Sequence, residues 1–180
     1  NDLGRMAGTP HHQGVIARVS SYPYTALKDL LALKTIVMLD SIEDPQNLGA
    51  IVRSAYALAE AGIVIPENRS ASITPAVVKA SAGATERAYI ARVKNLRVAA
   101  QELKKNGFWI VGLDTQAKEC IRDIPRFAQT LLVLGGEDTG IRPLVAREID
   151  VMARIPMKGP FNSLNVAQSA AIALYELMSG

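Results

Sequence analysis

The sequence predicts an α/β protein with a mostly parallel sheet flanked by helices, and three observations carry that expectation. Short β-rich apolar runs alternate with segments of helical periodicity along the 180 residues, as strands joined by crossover helices do. The run Leu131-Leu132-Val133-Leu134 stops at Gly135-Gly136-Glu137-Asp138-Thr139-Gly140, which reads as a buried strand opening into a glycine-rich loop. A further run, Val151-Met152-Ala153-Arg154-Ile155, breaks at Pro156-Met157-Lys158-Gly159-Pro160, after which Asn162-Ser163 can cap a long helix from Leu164. That succession places a ligand cleft at the carboxyl ends of parallel strands.

In chain order, residues 1–34 form a lead-in segment with a strand across 14–19 and a short helix across 25–33. Residues 35–39 are a β-rich buried strand, and 40–43 carry the chain off its end. Asp44-Pro45 starts a helix, with Asp at the cap and Pro in the first turn. The helix is expected to run to about residue 60 and to end at Gly62. Leu48, Ile51, Val52, Ala55, Leu58 and Ala59 form its apolar stripe. Arg53 lies off the stripe, and Gly49, one turn earlier, would leave uncovered ground beneath it. On these grounds alone Arg53 is an ordinary solvated arginine.

A strand at 63–65, a loop at 66–69 and a helix from Thr74-Pro75 to about 82 follow, with Gly83 closing the helix. Residues 88–93 read as a strand, 96–105 as a helix ending near Asn106-Gly107, and 108–111 as another strand. The last helix, 164–178, is apolar almost all round, so it must be covered on both sides, by the core or by a second subunit.

Composition sets limits. A chain of 180 residues with 49% apolar content suits one domain with one core. A net charge of +3 permits a nucleic-acid partner without demanding one. Arg87, Arg92, Lys94 and Arg97, and separately Lys104-Lys105, are basic groups that could meet phosphate, although lysines ending a helix also complement its dipole. Tyr56 and Tyr89 are open between core and surface roles. The lone Cys120 excludes an internal disulfide and suits a reducing compartment. His11-His12 lack a carboxylate or thiolate partner nearby, and no metal is assigned. No run is long enough for a membrane-spanning helix and no secretory signal opens the chain, so a cytoplasmic protein is expected.

Neither common nucleotide loop fits. Gly135 and Gly140 have the spacing of a phosphate loop, but Ile141-Arg142 stand where it needs lysine and a hydroxyl residue. The dinucleotide fingerprint needs glycine where Glu137 stands. The segments at 132–141, 155–159 and 163–167 instead resemble the second and third motifs of the SpoU branch of the SPOUT methyltransferases. Asn47-Leu48-Gly49-Ala50-Ile51-Val52-Arg53 resembles the first. The resemblance covers nearly the whole chain and is nearest to the bacterial 23S ribosomal RNA guanosine-2'-O-methyltransferases. His12-Gln13-Gly14-Val15-Ile16-Ala17 resembles the entry to their catalytic domain, which follows a small RNA-binding domain in that subfamily. A fragment lacking that domain is expected, with residues 35–180 as the catalytic domain.

The resemblance implies a C-terminal deep trefoil knot, a homodimer, S-adenosylmethionine as cofactor and an RNA substrate. It implies catalytic roles for Arg53, Asn47, Glu137, Ser163 and Asn165. Cofactor contacts would come from Gly135, Ile155 and Leu164, with Leu134, Gly136 and Met157 close by. Arginine is a poor base at its usual pKa, so Arg53 would need a perturbed site or a substrate phosphate to share the proton, and fixing that phosphate is its alternative role. Asn47 can orient ribose or arginine, or be merely the third residue of a polar first turn; Ser163 can be merely a helix cap. Ala167-Gln168 replace a small hydroxyl residue of the family pattern, and Phe161 and Asn162 replace small residues. These departures leave the core motif intact and leave open another guanosine or a different RNA; a transfer RNA methyltransferase of the same branch and a non-catalytic RNA-binding module with this fold stand as alternatives.

Overall fold

The structure, a computed structural model, describes residues 2–7, 14, 20–137, 139–160 and 163–178. The strand expected at 14–19 lies outside the described residues apart from Gly14, as do His11, His12, Asp138, Phe161 and Asn162.

Among the described residues seven strands form one sheet, every pairing between them parallel: β1 (Thr35–Asp40), β2 (Gly62–Pro66), β3 (Ile90–Val93), β4 (Trp109–Leu113), β5 (Glu119–Cys120), β6 (Thr130–Gly135) and β7 (Val151–Arg154). The order across the sheet is β3-β2-β1-β6-β4-β7-β5. The chain steps outward through β1, β2 and β3, crosses to β4, then returns to lay β6 between β1 and β4. The helices are α1 (Asp2–Ala7), α2 (Pro45–Ala59), α3 (Pro75–Ala80), α4 (Leu96–Lys105), α5 (Pro143–Ala146) and α6 (Val166–Met178). β1 and β6 are buried on both faces, which explains their continuous apolar runs. On one face Val37, Leu39, Leu132 and Leu134 pack with Leu48, Ile51 and Val52 of α2 and Ala170, Ala173 and Leu174 of α6. On the other, Ile36, Met38, Leu131 and Val133 meet Leu96, Ala99, Ala100 and Leu103 of α4.

Local chemistry corrects several expected boundaries. Residues 27–32 form a 3-10 helix, since six residues between extended segments close only tight i to i+3 turns such as Leu33 N–H to Leu30 O. α2 stops at Ala59, where Glu60 turns left-handed at φ 45° and Ala61 N–H reaches back to Ala55 O. Gly62 does not end that helix; it opens β2, where a Cβ would come 2.8 Å from Leu33 Cδ1. Leu58, expected on the buried stripe, is 41% exposed. The two-residue strand β5 lacks any periodic pattern and was not expected.

The α6 face turned to α2 and the sheet is buried, while Ile172 and Tyr175 are exposed on its other side and Met178, partly exposed, accepts from Thr35 Oγ1–H of β1 through its sulfur. The lead-in segment is held by tyrosines: Tyr22 Oη donates to Thr85 O at 2.7 Å, and Tyr24 Oη accepts from Ile73 N–H at 3.0 Å. Burial first, and then the charge of Glu86, push the Tyr22 phenol up to about 12.

Candidate active site

The carboxyl ends of β1, β6, β4 and β7 converge, and the turn after β6 fills the space between them. Gly136 and Gly140 form an antiparallel bridge, with Gly140 N–H donating to Gly136 O at 2.9 Å. Gly135 lies against this turn so closely that a Cβ would run into the backbone of Gly140 and Ile141. The turn is anchored from below by Asp40, fully buried at the end of β1. Its Oδ2 accepts from Arg142 N–H at 2.9 Å, its Oδ1 accepts from Arg142 Nε–H at 2.6 Å, and Ser41 Oγ donates to Oδ1 at 3.2 Å. Sequence reasoning passed over Asp40 and Arg142, because a carboxylate and an arginine 102 residues apart give no local sign of pairing.

Three of the residues singled out in the sequence meet above this turn. Asn47 Nδ2 donates to Glu137 Oε1 at 3.2 Å, and Asn165 Nδ2 donates both to Asn47 Oδ1 at 2.9 Å and to Glu137 Oε1 at 3.2 Å. Each side chain sits where its element ends: Asn47 in the first turn of α2, Glu137 in the glycine turn, Asn165 just before α6. Asn165 Oδ1 also accepts from Ala167 N–H at 2.8 Å, so Asn165 caps α6. This corrects the expected cap at Asn162-Ser163 and the expected helix start at Leu164, since α6 begins at Val166. Ser163 is exposed on the wall of the adjoining cleft.

Arg53 is not in this cluster. It is exposed on α2, lines neither of the cavities described next, and makes no hydrogen bond or ion pair to any described residue. Gly49 does not lie open beneath it either. Gly49 is buried against α3, where a Cβ would come 2.9 Å from Ser81 N and Val77 O, so its lack of a side chain serves helix packing.

Two cavities flank the cluster. A cleft of about 260 Å³ opens between the ends of β4, β6 and β7, and all six residues expected to touch a cofactor line it: Leu134, Gly135, Gly136, Ile155, Met157 and Leu164. Asp114, Thr115 and Ser169 add polar groups to its wall, and sequence reasoning missed all three, which carry no motif. A second cavity of about 400 Å³ lies over the end of β1 and shares Gly136, Glu137 and Val166 with the cleft. Asn47, Arg69 and Arg142 are on its wall.

The basic groups noted in the sequence are partly occupied in the fold. Arg97 pairs with Glu148 at 2.8 Å, and the Arg97 hydrogen bond holds the Glu148 carboxyl below its usual range. Lys104 Nζ donates to Glu148 O at 3.0 Å. Arg92 donates to Glu67 O at 2.9 Å and lies over the Tyr24 ring. Tyr89 is a surface residue, 52% exposed, while Tyr56 packs on the core. Among the described residues no group of three or more His, Cys, Asp or Glu could hold a metal, and no helix is long and apolar enough to cross a membrane.

The SpoU rRNA Methylase family model matches residues 34–175. The chain belongs to that family. The SpoU-family chain is 40% identical over 176 residues to the Bacillus subtilis protein YacO, assigned by its name to the TrmH family of tRNA/rRNA methyltransferases, covering 94% of this chain and 71% of that protein. It superposes on an AdoMet-bound rRNA methyltransferase from Sinorhizobium meliloti with TM-score 0.79 and 30% identity, over 86% of this chain and 60% of that one. It also superposes on an A. aeolicus TrmH/SpoU tRNA modifying enzyme with TM-score 0.73 and 28% identity, over 84% and 79% of the two chains. The SpoU-family chain is thus by class an RNA methyltransferase that uses S-adenosylmethionine. Its cleft fits such a group: glycine backbone at Gly135, Gly136 and Gly140 allows close approach, and Leu134, Ile155, Met157 and Leu164 give apolar walls beside a few polar groups.

Proposed function

We propose that the chain carries the catalytic site of a ribose-2'-O-methyltransferase whose most favoured substrate is a guanosine of 23S ribosomal RNA. The observation that carries this reading is the Asn47–Glu137–Asn165 cluster standing between the glycine-lined cleft and the second cavity. S-adenosylmethionine, held by the six cleft residues, supplies an electrophilic methyl group. Asn47 and Asn165 orient the ribose, Glu137 fixes the two amides, and Ser163 adds a hydroxyl at the cleft wall. Holding the 2'-oxygen in line is where such a site gains most of its rate.

Arg53 fixes a substrate phosphate that shares the hydroxyl proton, or takes that proton itself only where a perturbed site has first removed its own. Because Arg53 lines neither cavity in one copy, this role goes with a homodimer in which α2 of one protomer faces the site of its partner. The exposed Leu58, Ile172, Tyr175 and Met178 on α2 and α6 support such a contact. The trefoil knot belongs to the same proposal, supported by the insertion of β6 and β7 between earlier strands. So does the cytoplasmic location.

Two measurements test the reading. Calorimetry with S-adenosylhomocysteine should show binding, and none at millimolar ligand would sink it. Mass mapping of 2'-O-methyl groups in RNA from a deletion strain should show a lost site in 23S ribosomal RNA. A site lost from transfer RNA with ribosomal RNA unchanged would move the substrate to transfer RNA, the reading that the likeness to a tRNA modifying enzyme favours.

A further inference from the structure

The second cavity holds two arginines that the reaction described above does not use. Arg142 is fixed from inside the protein: fully buried Asp40 takes both its backbone N–H and its Nε–H, leaving the side chain 35% exposed. Its two terminal nitrogens have no hydrogen-bond partner among the described residues. A guanidinium gripped along one edge keeps its other donors in one direction, and two N–H groups in a plane match the oxygens of a phosphate. Arg69, in the loop after β2, reaches the same cavity and is exposed, with no side-chain partner among the described residues.

Three carboxylates share the walls, but two are committed. Glu137 accepts from the amides of Asn47 and Asn165, and Asp44 accepts from Gln46 N–H while capping α2. Glu43 is left at the exposed rim. Asp40 compensates the charge of Arg142 and the wall carboxylates keep theirs, so what Arg142 and Arg69 bring to the cavity is directed N–H donors rather than net positive charge.

We propose that this cavity seats an RNA phosphodiester adjoining the ribose presented to Asn47, with Arg142 and Arg69 as its two anion ligands. Asn47 stands on the cavity wall, so a phosphate bound here lies one sugar from the amide cluster. The inference rests on the methyltransferase reading and adds to it the residues that hold the RNA backbone.

The test is the salt dependence of binding by the full-length protein to a fluorescein-labelled single-stranded RNA oligonucleotide of mixed sequence, with S-adenosylhomocysteine saturating. Losing one phosphate contact lowers the slope of log affinity against log salt by about 0.7 for single-stranded RNA. Arg69→Gln should lower it by about that amount and leave S-adenosylhomocysteine affinity unchanged; Arg142→Gln should lower the slope by the same amount and also weaken S-adenosylhomocysteine, since its contact to Asp40 fixes the glycine turn. Arg142→Lys should not restore binding, because an ammonium cannot keep the Asp40 contact and present a planar pair of donors.

If Arg142 only staples the glycine turn, its loss should weaken S-adenosylhomocysteine and RNA by similar factors with the slope intact, and that result overturns the proposal. An unchanged slope in Arg69→Gln overturns it equally. Arg69→Gln breaks no side-chain contact to any described residue, so it carries the test should Arg142→Gln lower the melting temperature. Wild-type protein that fails to bind S-adenosylhomocysteine would instead refute the methyltransferase reading.

Discussion

Asn165 Nδ2 donates to Asn47 Oδ1 at 2.9 Å across 118 residues of chain. This bond joins the first turn of α2 to the start of α6, and Asn165 Oδ1 at the same time accepts from Ala167 N–H. One side chain therefore ends a helix with its oxygen and builds the candidate site with its nitrogen.

The two duties can be separated. Asn165→Ala should cost about 1 kcal/mol through loss of the cap, together with a drop in methyl transfer. Asn165→Asp should keep the cap, since a carboxylate still accepts from Ala167 N–H. It would, however, turn an acceptor toward Asn47 Oδ1 and Glu137 Oε1, so transfer should fall as far as in the alanine variant while the melting temperature stays near wild type. Thermal melts beside single-turnover rates check this. Equal melting losses in the two variants would count against the division.

Gly135→Ala places a methyl against the backbone of Gly140 and Ile141. Backbone atoms cannot swing away as a side chain end can, so the turn must shift at a cost of about 1–3 kcal/mol. Because Gly140 and Ile141 line the cleft, S-adenosylhomocysteine affinity should fall at least about tenfold, the equivalent of about 1.4 kcal/mol. Calorimetry on the folded variant measures it. Undiminished affinity would mean that the turn does not shape the cleft.

The legibility of the chain followed the range of the interactions. β1, α2, β2, β3, α4, β6 and β7 were readable because each is set by local periodicity and local caps, such as Asp44 accepting from Gln46 N–H. The residues of the Asn47–Glu137–Asn165 cluster were reachable only through motif resemblance, since no local pattern brings together three positions on separate elements. Asp40 and Arg142 belong to no quoted motif role and were missed, although their pairing fixes the glycine turn. Gly49 was read as leaving ground uncovered beneath Arg53 and Gly62 as a helix end, whereas the fold uses both for close packing. β5 borrows its order from β7 and could not have been read alone.

Tyr22 gives a test of the lead-in segment. Its phenol has a raised pKa in the folded protein, about 12 against a usual 10.0. The neutral form is therefore favoured by folding. The stabilisation is complete below pH 10 and is lost as pH rises from 10 toward 12. Tyr22→Phe should remove this part of the alkaline destabilisation and lose the hydrogen bond to Thr85 O. Melting temperatures across that window, alongside ultraviolet phenolate titration, check both points. A Tyr22→Phe profile parallel to wild type would contradict the raised pKa.

Arg53 and Gly49 make the last and sharpest contrast. Gly49→Ala should destabilise by about 1–3 kcal/mol, because its methyl meets Ser81 N and Val77 O of the neighbouring helix segment. Arg53→Ala breaks no contact to any described residue and should change stability by less than about 0.5 kcal/mol. Cofactor affinity should also hold, since Arg53 does not line the cleft. Methyl transfer should nonetheless fall at least about a hundredfold, as expected for losing a proton-transfer or charge-positioning group, and lysine should not rescue it. If a second copy brings Arg53 to the site, then mixing Arg53→Ala protein with Glu137→Ala protein should restore activity, because one site in each mixed dimer keeps both groups. No recovery on mixing would place Arg53 and Glu137 in the same copy, and a near-wild-type rate for Arg53→Ala alone would remove Arg53 from the mechanism.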